Sequence, residues 1–116
     1  MEMTRREKGD VVVFDLEGEL RGGPDDDATL KGGVHAAVDG GARKVLLNLR
    51  DLKWINSTGL GFIVAVYHDL QAANGSLRMC AANDRIAHVL TTTRFDRVIG
   101  IHATEDEALA AFTNGN

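Results

Sequence analysis

The chain has 116 residues, 44% hydrophobic and 26% charged, the size and balance of one globular domain and too apolar for disorder as its main state. Thirteen Lys and Arg against seventeen Asp and Glu leave a formal net charge of −4, which excludes a general nucleic-acid binder and a basic surface for acidic membranes as expected functions. The opening residues lack the apolar segment of a signal peptide, no apolar run approaches the ~20 residues of a membrane span, and the single Cys80 has no internal disulfide partner, so the expected location is cytoplasmic.

The first seven residues read as a weak antiparallel edge strand, poor because of their charges. Lys8-Gly9-Asp10 marks a turn. Val11-Val12-Val13-Phe14-Asp15-Leu16 reads as a strand reaching towards Leu20, and Gly22-Gly23-Pro24 breaks it. Asp25-Asp26-Asp27 suits a helix start, where free amides and the helix dipole favour negative charge; a cap and solvated charge run is preferred to a cation site. Leu30, Val34 and Val38 recur every four residues as a helical stripe. Gly32-Gly33 weakens that helix, which therefore packs closely there or is irregular, and Gly40-Gly41 ends it.

Lys44 to Leu49 reads as a buried strand, and Trp54-Ile55 ends a short connection, with Trp54 as a core anchor. Asn56-Ser57-Thr58 supplies cap-type residues before a long helix whose stripe is Leu60, Ile63, Val64, Tyr67 and Leu70. Phe62 and Val66 lie beside that stripe, either as an exposed patch for a partner or buried by a broad sheet-packing face. Asn74-Gly75 stops the helix. Leu77 to Ala81 reads as a strand, Asp84 to Thr92 as a short helix, Val98 to Ile101 as a strand, and Thr104-Glu105-Asp106-Glu107 as the capping box of a last helix. The order β-β-α-β-α-β-α-β-α predicts an α/β fold, a mixed and mostly parallel sheet packed against helices, in one domain over 1–116 with its core at about 11–112.

The chemistry of enzymes is sparse. His35, His68, His88 and His102 are scattered without metal-ligand spacing, so no metal site and no cofactor are expected. Cys80 lies in a strand pattern and reads as a small buried residue. There is no Gly-x-Ser-x-Gly elbow and no Walker-type loop. One segment stands apart, Ile55-Asn56-Ser57-Thr58-Gly59-Leu60-Gly61. There Asn56 can accept a hydrogen bond from the Gly59 amide and leave the Ser57 hydroxyl facing outward. Gly59 and Gly61 remove bulk from the first turn, so a partner's backbone or a phosphate can approach a helix end suited to anions; the alternative is a plain capped helix whose glycines serve packing.

Asn56-Ser57-Thr58-Gly59-Leu60-Gly61 resembles the Asp-Ser-Ser/Thr-Gly-Leu-Gly signature of STAS domains, the anti-sigma factor antagonist family. Leu16-Glu17-Gly18-Glu19-Leu20, Gly41 to Leu49, and Phe95-Asp96-Arg97-Val98 with Thr104 to Leu109 resemble flanking features of that family, so the likeness spans about Val11 to Phe112. The resemblance implies a STAS-like fold without catalysis. It implies an unphosphorylated domain that binds an anti-sigma factor, typically a serine kinase, and so frees a sigma factor. It also implies phosphorylation at the position of Ser57, which weakens the complex, and a phosphatase that resets it. Thr58 is a second possible acceptor, which the register disfavours. By the same likeness the partner would meet Arg21, Asn56, Ser57, Thr58, Gly59, Gly61 and Phe62.

This chain departs from the family pattern twice. Asn56 stands where the family has aspartate, and Arg21 where an aspartate commonly follows the Gly-Glu-Leu stretch. Both changes make the neighbourhood of Ser57 more positive, with Arg21 a potential phosphate partner or the mark of a different protein partner. Phosphate at a helix N-terminus is favoured by the fold, so the off-switch is expected at the interface and not by unfolding. Two other roles compete: a STAS subunit of a transporter or stressosome-like assembly, and a small enzyme or nucleotide-binding protein that uses the helix end as an anion site.

Overall fold

A computed structural model describes residues 1–113. The charged opening segment forms β1 (Glu2–Lys8). Gly9, at φ +62°, turns the chain back, and β1 pairs antiparallel with β2 (Val11–Leu20). Next come α1 (Pro24–Asp39), β3 (Lys44–Ile55), α2 (Ser57–Ala72), β4 (Ser76–Cys80) and α3 (Asp84–Thr92). A 3-10 turn at Phe95–Arg97 leads to β5 (Gly100–His102) and α4 (Glu105–Thr113). The five strands lie in the order β1-β2-β3-β4-β5, and every pair after the first is parallel. This is the α/β, mixed and mostly parallel architecture expected from the alternation of elements. Residues 114–116 of the expected domain lie outside the described residues.

Side chains of a strand alternate between its two faces, and the run from Val11 to Leu16 uses both. Val12, Phe14 and Leu16 join Val45, Leu47 and Leu49 of β3 and Met79 of β4 in the main core. That core is completed by Leu30 and Val34 of α1, Leu60, Ile63, Val66 and Leu70 of α2, and Ile86 and Leu90 of α3. Val11, Val13, Leu46 and Cys80 point the other way, against Ala108 and Phe112 of α4. Each large apolar side chain buried in this way stabilises the fold by roughly 1.5–3 kcal/mol. Strands apolar on both faces therefore require helices on both sides.

Several local expectations are refined. Strand β3 does not end at Leu49 but runs to Ile55, because it keeps pairing with β2 as far as Leu20 opposite Ile55, across two register shifts. The expected connection before Trp54 is therefore strand. Helix α1 is regular through Gly32-Gly33, and a Cβ at Gly33 would collide with the Met3 side chain, so the close-packing alternative holds. Val66 is fully buried, whereas Val64 and Tyr67 are half-buried; the helix stripe is rotated slightly from the one read in sequence. Phe62 is half-buried and packs against the main core. Strand β5 begins at Gly100 instead of Val98, which is exposed after the 3-10 turn.

The two buried polar residues, Asp26 and Asn48, are both hydrogen-bonded. Asn48 is buried, accepts from the Arg50 amide at 3.0 Å and donates to Glu105 at 3.1 Å. Arg6 of β1 bridges Asp15 of β2 and Glu105 at the start of α4, with nitrogen–oxygen distances of 2.5–3.3 Å. These contacts stitch the edge strand and the last helix to the sheet.

Candidate functional site

The site forms where β2 and β3 end side by side. Asn56 follows β3 in extended conformation and caps α2: its Oδ1 accepts from the Gly59 amide at 2.8 Å. Its Nδ2 donates to the Arg21 carbonyl at 2.8 Å. An aspartate could make the first of these bonds but not the second. Asparagine here thus ties the helix start to the loop after β2. The Asn56 amide also donates to the Leu20 carbonyl at 3.3 Å.

Two glycines let the backbones meet. A Cβ on Gly59 would collide with the Leu20 carbonyl oxygen, and one on Gly22, at φ +85°, would collide with the Thr58 side chain. Gly59 is buried, so its missing side chain admits β2 and not an outside molecule. Gly61 is different: it is exposed, and a Cβ there would meet nothing within 4 Å. The loop after β2 is held by Asp26, 8% exposed, whose Oδ2 accepts from the Arg21 amide at 2.9 Å and the Gly22 amide at 3.2 Å. Burial pushes this carboxyl up. The bonds from Arg21, the Met1 nitrogen and Gly22 outweigh it and hold the carboxyl below its usual range. The three acids therefore do not cap α1, whose N-cap is Gly23 without a side-chain bond. Asp26 reaches back to the preceding loop, and Asp27 pairs with Lys31 at 3.3 Å.

Within this frame Ser57 and Thr58 open α2 and are both exposed. The cap is supplied by Asn56, and the Ser57 hydroxyl makes no hydrogen bond among the described residues. No acidic residue lies in the first turn of α2, so no carboxylate offsets the positive end of its dipole. The outward hydroxyl expected from the sequence is present, on a helix end that welcomes an anion.

Beside Ser57, a shallow pocket of about 510 Å3 is lined by Glu19, Arg21, Lys53, Trp54, Asn56 and Arg85. Arg21 is 69% exposed; its Nε donates to Glu19 at 2.6 Å, and its guanidinium lies 6.0 Å from the Trp54 ring centre. Trp54 is half-buried, a wall of this pocket and not the core anchor expected. The structure thus brings Arg21, Asn56, Ser57, Thr58, Gly59 and Gly61 to one end of the sheet, while Phe62 leans into the core. Sequence reading missed Lys53, Arg85 and the Asp26 strut. An exposed cation has no local signature, and only the topology carries Arg85 of α3 to the end of β3. Asp26 stood in plain view, but as one of three indistinguishable acids.

Away from this end of the sheet, Cys80 is sealed in the core. Burial, with Glu105 and Asp15 nearby, pushes the Cys80 thiol up to about 11, which leaves it protonated. Among the described residues, no group of three or more His, Cys, Asp or Glu is arranged to hold a metal ion. No helix among them is long and apolar enough to cross a membrane.

Comparison with known proteins agrees with this geometry. The STAS domain model matches residues 2–108. A Thermotoga neapolitana protein, provisionally named an anti-sigma factor antagonist, is 36% identical over 69 residues, 60% of this chain and 61% of that relative. The matched stretch thus spans about three-fifths of that relative's length. A crystal structure of a provisionally named anti-sigma factor antagonist from Thermotoga maritima superposes with TM-score 0.83 at 26% identity, covering 94% of this chain and 92% of the other. The phosphorylated form of the Bacillus cell fate determinant SpoIIAA shares the fold, with TM-score 0.72 at 20% identity over 96% and 99% of the two chains. The chain belongs to the STAS domain family.

Proposed function

We propose that this chain is an anti-sigma factor antagonist switched by phosphorylation of Ser57. Unmodified, it binds an anti-sigma factor that is also a serine kinase and so releases a sigma factor. Phosphorylated, it lets the kinase go, and a phosphatase restores the free hydroxyl. The chain itself is a substrate and a binding module and not an enzyme, and it works in the cytoplasm. The observation that carries this reading is the division of labour at the start of α2: Asn56 does the capping, and Ser57, exposed, has no structural duty.

The electrostatics of the first turn support an interface switch. A phosphate brings about −1.5 to −2 charges. The helix dipole and the nearby Arg21 favour that charge, so the fold has no reason to open. A partner packed against the turn would instead have to bury a bulky anion, which is costly without a matching cation. Loss of about 1.4 kcal/mol weakens a complex tenfold. The test is incubation with ATP and a candidate anti-sigma kinase, followed by phosphosite mapping by mass spectrometry. Modification at Ser57, absent in Ser57→Ala, is expected. A kinase that binds the chain but leaves Ser57 unmodified contradicts the proposal.

A further inference from the structure

The pocket beside Ser57 concentrates positive charge on a molecule that is negative overall. Three of its six lining residues are cations, Arg21, Lys53 and Arg85, against the single carboxylate of Glu19. That carboxylate is engaged by Arg21. Lys53 and Arg85 are exposed and make no ion pair among the described residues. The chain as a whole carries −4, so two free cations and a third beside an indole are a local reversal of the surface charge.

The lining also selects among anions. Phosphate sites are usually built from backbone amides in glycine loops or at helix ends. Here the groups that line the pocket are the ends of long side chains around a half-buried indole, and the Gly59 amide at the start of α2 is already bonded to Asn56. Exposed cations beside an aromatic wall suit a carboxylate carried on an apolar stem. We infer that this pocket seats an acidic segment of the protein partner that reads Ser57, with a Glu or Asp side chain of that partner held among Lys53, Arg85 and Arg21. The inference rests on the partner-binding reading above. Continuity through Asn56 places the docked acid next to the modified hydroxyl. A phosphate on Ser57 then repels that acid and competes for the same cations, which couples the pocket to the switch.

Trp54 is the single tryptophan of the chain and reports directly on this pocket. The full chain is titrated at low salt with a capped hexaglutamate peptide while its emission is followed. A saturable change is expected, at least tenfold weaker in Lys53→Glu/Arg85→Glu, intermediate in Lys53→Gln/Arg85→Gln, and absent with capped hexalysine. Thermal melts establish that the variants are folded, and the glutamine pair decides if the glutamate pair is not. No saturable change, equal affinity in the variants, or displacement of the peptide by an equal concentration of inorganic phosphate would overturn the inference. Ser57 is untouched by this titration. Its failure leaves phosphosite mapping to stand alone, and a positive titration with an unmodified Ser57 would leave a docking pocket without a switch.

Discussion

Gly59 and Gly61 lie two residues apart in one signature, yet they do different work. The missing Cβ of Gly59 is filled by the Leu20 backbone, and that of Gly61 by nothing within 4 Å. Gly59→Ala is therefore expected to lower stability by about 1–3 kcal/mol through overpacking. Gly61→Ala is expected to leave stability unchanged or raise it by up to about 1 kcal/mol, since alanine is the better helix former. Urea denaturation of the two variants checks the contrast, and equal losses would contradict the packing described. The same scale explains Asn56: as a cap it was legible from residue type and spacing, but its bond to the Arg21 carbonyl required the fold to bring β2 alongside.

Among elements, a charge network joins the edge strand to the last helix. Arg6 joins Asp15 and Glu105, and Glu105 also receives Asn48. The bonds from Arg6, with that from Asn48, outweigh burial and hold the Glu105 carboxyl below its usual range. A carboxyl depressed in the folded state contributes stability that is full above its ordinary pKa and is lost as pH falls through its folded value. Arg6→Gln is thus expected to reduce stability near neutrality by about 1–3 kcal/mol, because Asp15 and Glu105 keep their burial and lose their cation. It also flattens the acid limb of the stability profile below about pH 4. Denaturant midpoints measured between pH 2 and 7 test both effects, and a variant whose acid limb matches the parent's would refute the network.

At the opposite edge, Arg78 Nη1 donates to His102 Nε2 at 3.0 Å across β4 and β5. Burial and then the Arg78 charge push the His102 ring below its ordinary value, against the attraction of Glu107. The unfolded chain accordingly binds this proton more readily than the folded one, so stability falls as pH drops below about 6.5. In His102→Gln that component of the pH dependence is expected to vanish. A chemical-shift titration placing the His102 pKa at or above 6.5 would show that the contact does not form.

These networks also mark where sequence reading stops. Apolar patterns, turn signals and caps located the five strands and four α-helices, but not the 3-10 turn at Phe95–Arg97. They could not show that β3 keeps pairing to Ile55, since Arg50, Asp51 and Lys53 are exposed there and only Leu52 and Ile55 are buried. Asp15 interrupts the apolar run from Val11 to Leu16, but its partner Arg6 is nine residues away and Glu105, the other partner of Arg6, lies on another element. Long-range ion pairs have no period for a linear pattern to reveal.

For the molecule as a whole, the proposed switch sits at one end of the sheet. The ends of β2 and β3, the start of α2 and Arg85 of α3 converge there, while α4 covers the second face far from Ser57 in sequence. A fold arranged in this way can accept a charge at Ser57 without giving up its core. The Ser57-phosphorylated protein is expected to melt at the same temperature as the unmodified protein or a few degrees higher, as a favourable charge at a helix N-terminus contributes about 0.3–1 kcal/mol. A drop of more than about 5 °C would point to switching by unfolding.

The central claim is that a partner distinguishes a free from a phosphorylated Ser57 on an otherwise unchanged surface. Calorimetric titration of the anti-sigma kinase into unmodified and fully Ser57-phosphorylated protein tests it most directly. At least a tenfold loss of affinity on phosphorylation is expected, with Ser57→Ala binding as tightly as the unmodified chain. Equal affinity for the two forms would contradict the account.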